Sequence, residues 1–330
     1  MAELITVQNL TKEFPVYKSL IDQIFAGGKK TVVHAVDDIS FSIKRGEVLG
    51  LAGESGSGKS TTGRLILRLL DPTAGVIEYN GNDMTRFTFR EMEKMREKMQ
   101  IVFQDPNSSL SPRMSVGEAI EHPLKIHQIG TAEEQKKRVL DLMERVGLTP
   151  ADFIYRKYPH QISGGQSQRV VLARALVTNP DFIVADEPIA MADVSVRALI
   201  LELMKELKDE FDLTYLFITH DLATAKYLCD RIAVMYLGRI VELGSRDQLF
   251  SAPHHPYTRA LLEAVPIPDP RQRRTEEVVR GEIPSAINPP PGCHFHPRCP
   301  HAKAECRQGR PSMKEVQPGH YSACILPFDY

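Results

Sequence analysis

The chain has 330 residues, enough for two domains and a sizeable core. Lys plus Arg total 41 against 42 for Asp plus Glu, so no global positive field marks a nucleic-acid binder. No apolar run is long enough to span a bilayer, and the first residues lack a signal-peptide core; a soluble, cytoplasmic chain is expected, one that meets a membrane only through other proteins.

In chain order, Leu4 to Phe14 and His34 to Ile43 read as antiparallel strands. Between them, Leu20, Ile21, Ile24 and Phe25 recur at helical spacing within Ser19 to Phe25. That pattern suits either a small amphipathic helix near a partner or membrane, or a local surface packing element. Val48 to Ala52 reads as a short buried strand. It runs into Gly53-Glu54-Ser55-Gly56-Ser57-Gly58-Lys59-Ser60-Thr61, which fits G-x-x-x-x-G-K-[ST]. Such a turn aims successive backbone N–H groups at phosphate oxygens. Lys59 is expected to reach the β- and γ-phosphates and the Ser60 hydroxyl to hold Mg²⁺. A helix from Thr61 to Leu70, with Leu65, Ile66, Leu69 and Leu70 apolar, completes the strand–loop–helix setting that the motif requires. ATP binding and hydrolysis are the expected chemistry.

A charged helix from Thr88 to Lys98 leads to the strand Gln100 to Phe103 and then Gln104. Ser115 to Gly147 reads as mostly helical, with a Thr131-x-x-Glu134 capping box. Ser163-Gly164-Gly165-Gln166 opens a helix that runs to Thr178. Alone it reads as an ordinary N-cap; with a phosphate site already present, it also suits a turn that caps a nucleotide held by another subunit. Phe182 to Ala185 form an apolar run closing on Asp186 and Glu187, the pattern of a buried parallel strand delivering acids to a nucleotide. Ser195 to Phe211 is helical, Thr214 to Ile218 a strand, His220 follows it, and Leu222 to Cys229 is helical again. Strands alternating with helices predict an α/β core with a helical insertion over about 105–165.

After Val265 prolines punctuate a segment with little periodicity, so a domain boundary is expected near Pro266, dividing 1–265 from 266–330. The second part holds Cys293, Cys299, Cys306 and Cys324, spaced by five, six and 17 residues. In a reducing compartment that clustering suggests metal. Structural zinc favours a pair two to four residues apart, which is missing, so irregular spacing suits a [4Fe–4S] cluster better than Zn²⁺; uncoordinated or disulfide-bonded cysteines are the third reading. Cys229 stands apart and reads as a small buried residue.

The phosphate loop, Gln104, Ser163 to Gln166, Asp186-Glu187 and His220, in that order, resemble the nucleotide-binding subunit of an ATP-binding cassette (ABC) transporter, over roughly residues 4–250. Pro253 to Leu262 and the cysteine-bearing tail resemble the oligopeptide/dipeptide importer branch. The resemblance implies a P-loop ATPase core with an antiparallel β subdomain, a helical insertion and a small C-terminal extension. It implies two ATPase subunits sandwiching two ATP molecules, with Ser163, Gly165 and Gln166 facing the partner's nucleotide. They would sit on the cytoplasmic face beneath two transmembrane permeases served by an extracytoplasmic substrate-binding protein. By the same resemblance Asp186 positions Mg²⁺ and Glu187 is the general base. Gln104 contacts Mg²⁺ or the water, His220 contacts the γ-phosphate, and Phe14, with Tyr17 as competitor, stacks on adenine. The Phe14-Pro15-Val16 start leans toward a heterodimer with a sister ATPase, and some importer ATPases with similar tails carry an iron–sulfur cluster. Peptides are the default solute, with oligosaccharides and nickel as alternatives. One departure stands out: where the family usually shows Thr-Ser-Ala-Leu-Asp, this chain has Ile189-Ala190-Met191-Ala192-Asp193, so communication between the paired sites is the property it touches. A soluble ABC ATPase of DNA repair or translation is the runner-up, but it usually brings long coiled coils or a second cassette, and neither occurs here.

Overall fold

The computed structural model describes residues 2–16, 31–191, 193–265 and 281–326. The Ser19 to Phe25 segment, Tyr17 and the boundary near Pro266 lie outside the described residues. Along the chain the strands are β1 (Glu3–Pro15), β2 (Val32–Lys44), β3 (Val48–Ala52), β4 (Ala74–Tyr79), β5 (Asn82–Asp83) and β6 (Met99–Val102). There follow β7 (Phe182–Asp186), β8 (Thr214–Thr219), β9 (Arg231–Tyr236), β10 (Arg239–Ser245), β11 (Lys314–Gln317) and β12 (His320–Ser322). The chain divides into two compact units. One comprises Met1–Glu3, Ile43–Val48 and Arg86–Ile218; the other comprises Leu4–Ser42, Leu49–Thr85 and Thr219–Tyr330.

The first unit is built on three parallel strands in the order β8-β7-β6, with Val102 opposite Ala185 and Asp186 opposite Ile218. Parallel strands covered on both faces need apolar side chains all along, and β7 and β8 are buried at every position. The insertion is helical as expected, with Val116–Ile126 and Ala132–Arg145 among its helices, the second opening at the Thr131 capping box. Each of these starts at a reciprocal capping box, Ser115 with Glu118 and Thr131 with Glu134. Such a box satisfies two of the N–H groups that a helix start leaves without partners.

The second unit holds a small antiparallel sheet in the order β2-β1-β4-β5 and the run β11-β12-β10-β9-β3. Within that run β3 pairs parallel with β9, while β10 pairs antiparallel with β9 and β12. The segment after Val265 thus carries two short strands that its sequence did not announce, and it extends the sheet. Its anchor is a buried polar cluster. The Glu242 carboxylate, fully buried on β10, accepts the backbone N–H groups of His254 (2.6 Å) and His255 (3.0 Å). His320 Nε2 on β12 meets it at 2.7 Å. A buried carboxylate is tolerated only when so many donors converge on it. His255 is neutral, burial pushing it down to about 4, and its Nδ1 accepts the Tyr257 N–H at 3.1 Å. Cys229 is buried as expected, so close to Gly50 that a Cβ there would come 2.8 Å from its sulfur.

Candidate nucleotide site

The five residues of β3 are all buried, and the chain leaves the strand at Gly53. Gly53 has φ +153° and a side chain there would run into the Met235 carbonyl at 2.2 Å; Gly58 has φ +105° and would meet the Ala35 carbonyl at the same distance. Only glycine serves at either point. Gly58 is also the N-cap of the helix Lys59–Ile66, which therefore begins two residues earlier than its apolar pattern suggests. Between these glycines the loop curls around the Lys59 ammonium: Nζ donates to the Gly53 and Glu54 carbonyls, each at 2.8 Å. Lys59 is 5% exposed, while Ser55 and Gly56 are open to solvent at the tip of the loop. A buried cation inside a glycine-rich turn is a setting for phosphate. Ser57, Ser60 and Thr61 belong to the same turn. Phe14 on β1 is half-buried, with Lys12 Nζ 5.1 Å from the centre of its ring, and His220, exposed just past β8, belongs to the same unit.

The other unit carries the acids. Asp186, 5% exposed, is the last residue of β7, and Glu187 follows with φ +48°, its N–H bonded to the Ile218 carbonyl at 3.0 Å. A left-handed conformation is uncommon for a residue with a side chain and collects at functional turns. Gln104, two residues past β6, donates from Nε2 to Glu187 Oε2 at 3.0 Å. Residues 83 apart in sequence are thus brought into contact because β6 and β7 end side by side. In the following loop the Ala190 N–H bonds to the Glu187 carbonyl at 3.1 Å, Met191 is 68% exposed, and Ala192 lies outside the described residues. Ser163 caps the helix Gly164–Leu176: its Oγ accepts the Gln166 N–H at 3.2 Å, and Gln166 Oε1 accepts the Ser163 N–H at 3.0 Å. The structure thus shows an ordinary capped helix start with Gly164 exposed beside it.

Cys293, Cys299, Cys306 and Cys324 all line one small cavity, with Phe295 and Leu326 in its wall. Burial pushes the Cys293 and Cys299 thiols up to about 11. The Lys303 N–H points at Cys306 Sγ, 3.4 Å away. The walls around the four cysteines are otherwise largely apolar, Phe295, Pro311 and Leu326 among them. Among the described residues, no set of three or more His, Cys, Asp or Glu side chains stands in ligating arrangement.

Two contacts at Glu54 were not foreseen from the sequence. Its carboxylate is held by Arg298 and its backbone N–H by the Tyr257 hydroxyl. The only hint was that both residues sit in segments that resemble the importer branch, and no local pattern tied them to the phosphate loop.

Comparison with known proteins accounts for the arrangement. Residues 36–190 match the ABC transporter family model, and residues 241–306 match that of the oligopeptide/dipeptide transporter C-terminal region. A putative peptide import ATP-binding protein of Brucella ovis is 51% identical, over 90% of this chain and 93% of its own length. The oligopeptide transport ATP-binding protein AppF of Bacillus subtilis is 45% identical over 98% of this chain and 97% of its own. Among solved structures, the post-hydrolysis dimer of the ATP-binding cassette MJ0796 bound to ADP and Pi matches with a TM-score of 0.64 at 30% identity, covering 74% of this chain and 99% of that one. The chain belongs to the ATP-binding subunits of ABC transporters, in their oligopeptide/dipeptide branch, whose cassettes hydrolyse ATP to power transport.

Proposed function

We propose that the turn Gly53 to Thr61 holds the ATP phosphates, with Phe14 against the adenine, and that Glu187 drives hydrolysis as general base. The observation that carries this reading is Glu187 itself, set just past β7 in a left-handed turn with Gln104 3.0 Å from its carboxylate. Glu187 takes a proton from the attacking water as the terminal phosphate–oxygen bond breaks to give ADP and phosphate. Gln104 and His220 orient that water. Ser60, Gln104 and Asp186 are the residues that would hold Mg²⁺, which when bound offsets charge on the phosphates. The Ser163 turn, with Gly165 and Gln166, serves the nucleotide of a facing subunit.

The assembly we infer has two permeases, a substrate-binding protein outside and a sister ATPase, with this chain peripheral on the membrane. Among its described residues no helix is long and apolar enough to cross a bilayer, which fits a subunit that docks. Affinity purification of the tagged chain from detergent-extracted membranes is expected to bring down two permease chains and an ATP-binding chain of different sequence. Recovery of this chain as the sole ATPase would replace the heterodimer with a homodimer; recovery of ribosomes or nucleic acid instead would remove the docked assembly.

The division at about residue 266 separates the cassette from an extension whose four thiols we read as the seat of a [4Fe–4S] cluster, with Zn²⁺ the alternative. What supports this reading is that Cys293, Cys299, Cys306 and Cys324 all line one small cavity. Such a centre would stiffen a segment poor in apolar residues. Anaerobically purified protein is expected to be brown with broad visible absorption, and Cys299→Ser to lose that absorption. Colourless protein with one zinc per chain would leave the structural role and replace the metal.

A further inference from the structure

The second residue of the phosphate loop is a carboxylate, which is an odd choice in a turn whose task is to attract a polyanion. Glu54 does not stand alone. Arg298 grips it with both arms, Nη1 to Oε2 at 2.7 Å and Nη2 to Oε1 at 2.9 Å. Arg298 is only 9% exposed, and its guanidinium lies 5.7 Å from the Tyr236 ring centre and 6.0 Å from that of Phe295. Tyr236, Tyr257 and Phe295 pack with ring centres 4.7–5.3 Å apart, so the arginine is held in an aromatic frame. The Tyr257 hydroxyl accepts the Glu54 N–H at 2.9 Å. Side chain and backbone of one loop residue are therefore fastened by two residues more than 200 positions further along, |i−j| being 203 for Tyr257 and 244 for Arg298.

A half-buried carboxylate beside the phosphate position would repel the nucleotide, whereas a bidentate, poorly hydrated guanidinium cancels that charge and fixes where it points. We propose that Arg298 is the charge-compensating and positioning residue of the phosphate loop, through which the C-terminal extension sets the affinity for ATP. This rests on the reading of Gly53 to Thr61 as that loop. A strut of purely structural value would be lost whenever Arg298 is removed; a charge compensator is dispensable once Glu54 is neutral. The two roles therefore separate in a double variant.

The test uses the full-length chain, titrated with a fluorescent ATP analogue and Mg²⁺ at low and high salt. Arg298→Ala is expected to weaken binding about tenfold at low salt, with the loss shrinking as salt rises. Glu54→Gln alone should bind at least as tightly as the parent, and Glu54→Gln with Arg298→Ala should return to within about twofold of it. In the assembled transporter Arg298→Ala should raise KM for MgATP and leave kcat nearly unchanged. Unchanged affinity in Arg298→Ala, or a double variant as weak as the single, overturns the proposal. Should Arg298→Ala fail to fold, Arg298→Gln carries the same comparison, and weaker binding by Glu54→Gln alone also overturns it. Lys59→Ala in the same titration separates the two levels: if it binds normally, the loop assignment fails; if it loses binding while Arg298→Ala does not, only the role of Arg298 fails.

Discussion

Glu187→Gln is expected to bind ATP as the parent does while hydrolysing it at least about 100-fold more slowly, a barrier rise of roughly 3 kcal/mol. The amide keeps the size of the carboxylate and an oxygen able to accept from Gln104 Nε2, now 3.0 Å from Glu187 Oε2, so the turn retains its shape. What it loses is the capacity to take a proton from water. Phosphate release at saturating MgATP in the assembled complex reads the chemical step, and a nucleotide titration reads binding. Near-normal turnover would remove Glu187 as general base and leave its left-handed turn without a catalytic reason.

Lys59→Ala should act at the other end of the reaction, weakening ATP binding by about 100-fold, the loss of two charge-assisted contacts to phosphate at 1.5–3 kcal/mol each being roughly 3 kcal/mol or more. In the structure the ammonium is already enclosed, tied to the Gly53 and Glu54 carbonyls at 2.8 Å. Binding therefore exchanges carbonyl partners for phosphate oxygens, with little reordering of a long side chain. Alanine removes the charge and also the tie that closes the loop. Equilibrium titration at fixed ionic strength measures the effect; an affinity within about threefold of the parent would sink the phosphate-loop assignment.

Local chemistry was enough for much of the fold. β3 appears at Val48–Ala52 and the acidic strand ends at Asp186, as read from apolar runs, because a strand buried on both faces has no polar position to blur its limits. The capping box at Thr131 is legible because donor and acceptor lie three residues apart, whereas the same reciprocal box at Ser163 with Gln166 shows in the sequence only as an N-cap. The phosphate-loop helix begins two residues before its apolar pattern because its N-cap is a glycine in a left-handed turn, which sends no side-chain signal. Long-range contacts had no such local trace. Gln104 meets Glu187 because two parallel strands end together, and Arg298 meets Glu54 inside one compact unit assembled from segments far apart in the chain. β11 and β12 leave no trace in the sequence because four and three residues are too short to show an alternation. His320 and Ser322 are buried by pairing with β10 and by Glu242, not by any apolar character of their own. Backbone pairing and ion pairs between distant segments depend on which surfaces meet, and that is settled when the sheet assembles.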